Sequence, residues 1–63
     1  MRHTDFWTRM EEVLGDRTRS FSRLTVLTQL GGRTPLEALE EGVPPKQVWA
    51  AVHAFLELPK HLS

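Results

Sequence analysis

The chain has 63 residues, 40% hydrophobic and 25% charged, an ordinary globular composition rather than that of a disordered tail. Eight Lys plus Arg balance eight Asp plus Glu, so net charge points to neither nucleic acid nor a membrane surface as a partner. There is no cysteine for a disulfide framework, and His3, His53 and His61 show no metal-ligand spacing, so no metal or cofactor is expected.

The opening MRHTDFWTRMEEVLG lacks the apolar segment of a signal peptide, and no apolar run approaches the roughly 18 residues of a membrane span. The expectation is a cytoplasmic protein without membrane contact. Charge is mildly uneven: residues 1–33 carry six basic and four acidic side chains, residues 34–63 two basic and four acidic.

Thr4 reads as an N-cap. Phe6, Trp7, Met10, Val13 and Leu14 follow at helical spacing within about 120° of one face, which predicts a first helix over about residues 5–14, closed by Gly15. The next segment, RTRSFSRLTVLTQL, places Phe21, Leu24, Leu27 and Thr28 along one side and Val26 and Leu30 towards another. This wide apolar arc predicts a central helix over about residues 17–30, capped by Asp16, Thr18 or Ser20. Its β-branched Thr25, Val26 and Thr28 make strand the competing reading of RLTVLTQL. Helix is preferred because a lone strand has nothing in the chain to pair with.

The stretch LGGRTPLEALEEGVPP reads as helix punctuation. Gly31 supplies a left-handed exit, and Thr34, Pro35 and Glu37 form a capping-box start for a helix over about residues 35–41. Gly42 ends it, with Val43 placed to fold back on Ala38 or Leu39. Pro45 opens a last helix over about residues 45–58, Pro59 stops it, and the tail KHLS is expected to fray. Val48, Trp49, Val52, Phe55 and Leu56 repeat the spacing of Phe6 to Leu14. Two amphipathic helices with the same burial requirement explain the match better than a duplication, and both tryptophans are expected in the core. The fold class is therefore all-α: a compact bundle of four short helices in a single helical domain over residues 1–63, its C-terminal half helix-turn-helix-like.

The segments MRHTDFWTRM and VLTQLGGRTPLEALEEGVPPKQVWAAV, with LGGRT, AL-x-x-G and VW at these separations, resemble the DUF3046 family of short actinobacterial proteins. The resemblance covers most of the chain and implies no activity, since the family is a domain of unknown function. Members often have an Asp-His pair where this chain has Leu24 and Thr25, and a cysteine where it has His53.

Three functional classes remain to be weighed. Ala38, Gly42 and Val48 match the spacing of a helix-turn-helix, in which a small residue lets the helices cross closely and a valine enters the core. The residues that would meet base edges are Pro44, Pro45, Lys46 and Gln47, and Glu37, Glu40 and Glu41 would repel phosphate, so a structural corner is the preferred reading. An enzyme is not expected: Ser20, Ser22 and Thr34 have no recognisable base, GGRT lacks the ending and preceding strand of a phosphate loop, and His53 borders an apolar stripe. Arg17, Arg19 and Arg23 form a candidate partner-binding patch, with Arg33 a fourth candidate whose guanidinium is also placed to bond helix-ending carbonyls. The resulting expectation is a non-catalytic module that binds another cytoplasmic protein. A nucleic-acid-binding helix-turn-helix is the alternative, and a homodimer covering excess apolar surface is a third.

Overall fold

A computed structural model describes residues 1–60. Four α-helices follow one another: α1 (His3–Leu14), α2 (Thr18–Leu24), α3 (Pro35–Glu40) and α4 (Pro45–Phe55). A 3-10 turn, Gly15–Arg17, joins α1 directly to α2, and a second, Thr28–Leu30, precedes α3. Because α1, the 3-10 turn and α2 follow one another with no loop residue between them, the architecture also counts as three helical segments rather than the predicted four separate helices. Among the described residues there is no strand, only one isolated antiparallel bridge between Leu27 and Arg33. The Cα radius of gyration is 10.4 Å, against about 10.6 Å for a compact chain of this length.

Helix α1 starts earlier than predicted. Its cap is Arg2 rather than Thr4, and the Arg2 N–H donates to Asp5 Oδ2 at 3.2 Å, satisfying a main-chain donor just outside the first turn. The helix ends as predicted at Gly15, whose φ of 54° an ordinary residue adopts only at a cost. Phe6 and Met10 are fully buried, Val13 and Leu14 half-buried.

The predicted helix over residues 17–30 is the main correction. It stops at Leu24, and Thr25 and Leu27 adopt extended backbone instead. The β-branched pair Thr25–Val26 weakens the helix at this point, and an external hydrogen-bond partner for Leu27 completes the break. Leu27 N–H donates to Arg33 O at 3.0 Å, and Gly32 N–H donates back to Leu27 O at 3.1 Å. That reversal needs two consecutive left-handed residues, Gly31 at φ 70° and Gly32 at φ 82°, which is the physical reason for the glycine pair. Leu27 and Leu30 are buried as expected, whereas Leu24 and Val26 face outwards.

The start of α3 matches the reading from sequence. Thr34 Oγ1 accepts from Glu37 N–H at 3.1 Å, and Thr34 N–H donates to Glu37 Oε1 at 2.9 Å, with Pro35 as first helical residue. Gly42 at φ 95° closes α3, its N–H bonded to Leu39 O and that of Val43 to Ala38 O. Helix α4 begins at Pro45 as predicted and ends three residues short of the prediction, at Phe55. Pro59 does not stop it. Glu57 takes a left-handed φ of 54°, and Glu57 and Leu58 donate to Ala54 O and His53 O, the same closing pattern as at Gly42. Lys60 is the only residue of the KHLS tail within the described chain, and the expected fraying of the rest lies outside it.

The buried core joins Phe6 and Met10 of α1, Leu27 and Leu30, Ala38 of α3, and Val48, Trp49, Ala51 and Val52 of α4. The matching spacing of α1 and α4 is used only in part. Phe6 and Val48, then Met10 and Val52, are wholly buried, but Phe55 is 53% exposed. The tryptophans also differ: Trp49 is in the core, while Trp7 is half-buried, its ring edge-on to Phe6 at 5.0 Å.

Candidate interaction surface

The position of α2 is fixed by Thr18. Its hydroxyl, 8 residues from Met10 in sequence, lies 2.8 Å from Gly15 O in the 3-10 turn and 3.3 Å from Met10 O in α1, so its one proton is shared between two carbonyls. Thr18 therefore ties the two helices together rather than acting as an N-cap acceptor. From that anchor Arg19 and Arg23 follow one turn apart and line a groove shared with Trp7 and Glu11 of α1, Asp16, Ser22 and Leu36 of α3. Both arginines are exposed. Glu11 and Asp16 oppose them, so the groove has specific cations but no excess positive charge.

The four sequence candidates are not brought together. Arg17 is exposed but is not part of this groove. Arg33 is engaged elsewhere: its Nε donates to Glu41 Oε2 at 2.7 Å, and its Nη1 donates to Leu30 O at 3.2 Å. The hydrogen bond and charge of Glu41 raise the Arg33 pKa above its ordinary value. Arg33 thus spans the glycine reversal, joining the end of the 3-10 turn to the end of α3, which is the carbonyl-bonding position its place in the sequence suggested.

The corner of α3 and α4 buries both Ala38 and Val48 completely. A second groove lies between α4 and α1, lined by Lys46, Trp49 and His53 together with Asp5, Arg9 and Glu12. His53 is half-buried, its Nε2 lying 2.9 Å from Pro59 O and its ring 6.3 Å from that of Trp49. Among the described residues, no three His, Asp or Glu side chains gather where a metal ion could be held. No helix among them is long and apolar enough to cross a membrane.

Sequence reasoning missed two buried polar atoms. Ser22 Oγ and Trp49 Nε1 have no hydrogen-bond partner among the described residues, and each belongs to a residue lining one of the two grooves. Helical spacing does carry a signal for Ser22, which lies four residues after the buried Thr18 on the same face of α2. No local pattern marks the indole.

These elements define a small all-helical protein, with a bent N-terminal helical segment packed against a C-terminal helix corner. The family model described as a protein of unknown function (DUF3046) matches residues 1–61, nearly the whole chain. The chain belongs to the DUF3046 family. Comparison with curated proteins and with solved structures gives no match.

Proposed function

We propose that the chain is a single-domain, non-catalytic interaction module for another cytoplasmic protein, which it engages through the groove between α1 and α2. The observation that carries this reading is the pairing of Arg19 and Arg23 with the partly exposed Trp7 and with Leu36 along one groove. Arginine and tryptophan are residue types that dominate binding energy at protein interfaces, because each combines a large apolar surface with directed hydrogen bonding. Nearby Glu11 and Asp16 favour a partner with mixed charge over a bare phosphate backbone. Arg17 and Arg33 lie outside this surface.

The experiment is affinity capture from lysate with the wild-type chain and the Arg19→Glu, Arg23→Glu double variant. The variant is expected to fold normally and to lose the captured protein. Undiminished capture would remove the groove from consideration.

The α3–α4 corner is the observation behind a nucleic-acid-binding reading. Lys46 is the only cation within the first turn of α4, and Asp5 and Glu12 share its groove, which weighs against that reading. Duplex binding that weakens steeply with added salt would establish it, and no binding at low salt would eliminate it.

A further inference from the structure

Arg19, Ser22 and Arg23 share one side of α2, because positions three and four apart on a helix are neighbours, and all three line the groove with α1. Among the described residues neither guanidinium has an ion pair, although Glu11 and Asp16 line the same groove. Both arginine forks are therefore open to a partner. Ser22 adds a further donor: it is 1% exposed, and its Oγ has no hydrogen-bond partner among the described residues, a defect that costs stability. Trp7 and Leu36, both half-buried, supply apolar surface in the same groove.

Resting on this groove as the interface proposed above, we infer that its occupant is a peptide segment of the partner that places one Asp or Glu side chain between Arg19 and Arg23, with an apolar residue beside it against Trp7 and Leu36. A carboxylate accepts about four hydrogen bonds, and two guanidinium forks one turn apart supply enough donors to fill them. The Ser22 hydroxyl, covered in the unbound chain, rotates about χ1 to donate to the same carboxylate, which accounts for an unpartnered donor at this position. Glu11 and Asp16 restrict the charge that the occupant carries. A phosphate dianion meets repulsion from both, whereas a carboxylate with a Lys or Arg close by in sequence complements the acids as well as the arginines.

The probe is a displayed library of short random peptides, selected on the full wild-type chain and depleted on the Arg19→Glu, Arg23→Glu double variant. Enriched sequences are expected to share an Asp or Glu beside a large apolar residue, with a Lys or Arg nearby. Replacing that acid by its amide in the synthetic peptide should weaken binding at least about tenfold in fluorescence anisotropy, and phosphoserine in its place should bind more weakly than the acid. This comparison leaves the chain itself unaltered, so it reads the contact whatever the double variant does to folding. A peptide with Lys in place of the acid should bind the double variant better than the wild type. Ser22→Ala should weaken the acidic peptide about fivefold or more while leaving the chain at least as stable, a combination that loss of packing does not produce. Four results would overturn the inference: no arginine-dependent peptide, enriched peptides without an acid, amide or phosphoserine forms that bind as tightly as the acid, or undiminished binding by Ser22→Ala. Lysate capture that still depends on Arg19 and Arg23 would then leave the interface standing and remove only its acidic occupant.

Discussion

Glu57 adopts a φ of 54°, the only left-handed residue other than glycine among those described. A β-carbon in that conformation is disfavoured, and the strain persists because closing α4 there satisfies two of its terminal carbonyls. Glu57→Gly is expected to raise stability by about 1 kcal/mol, seen as a melting midpoint higher by about 4–8 °C. An unchanged midpoint would mean that the glutamate is not strained. Ser22 carries the opposite kind of defect, a buried hydroxyl without a hydrogen-bond partner among the described residues. Removing it takes away the unpartnered hydroxyl and substitutes a better helix former, so Ser22→Ala is expected to stabilise by about 0.5–1 kcal/mol in denaturant titration. A marked loss of stability would reveal that the hydroxyl is bonded in solution. Glu57 did not stand out in the sequence, because a glutamate in a left-handed cap follows no local rule, and helical spacing marks the face of Ser22 but not the absence of a partner for its hydroxyl.

At the scale of elements, the best-read feature was the start of α3. Thr34, Pro35 and Glu37 interact within one turn, so no distant group is needed to decide their conformation. Thr34→Ala is expected to cost about 1 kcal/mol, and adding Glu37→Ala should cost less than the two single effects combined, since both remove one reciprocal cap. Additive losses in thermal unfolding would show that the two side chains act independently. The second helix was misread for the converse reason. Apolar spacing in RLTVLTQL fits a helix, but the Leu27–Arg33 bridge offers the backbone another set of hydrogen bonds, and the partner lies beyond the glycine reversal. The competing strand reading was dismissed for want of a partner, and the chain supplies a one-residue partner by folding back on itself. The same break separates the outward Leu24 and Val26 from the buried Leu27.

For the molecule as a whole, 63 residues correspond to a total stability of about 3–9 kcal/mol. Phe6 is fully buried at the centre of the core, and Phe6→Ala is expected to cost about 3–5 kcal/mol, enough to leave a substantial unfolded fraction at 25 °C by circular dichroism. A variant with native-like melting would show that the core around Phe6 closes over the gap. The sequence by itself determined the helical class, the family signature, three glycine-marked ends at Gly15, Gly31 and Gly42, and the cap of α3. Each rests on interactions within a few residues, which composition and spacing record. Only the tertiary structure decided that Arg19 and Arg23 share a groove with Trp7 while Arg17 and Arg33 do not, and that Phe55 and Leu24 stay outside the core. Helical spacing identifies a face but not the number of neighbours available to cover it. In a chain this small, α1 and α4 take up the core space, and the ends of the apolar stripes are left in solvent.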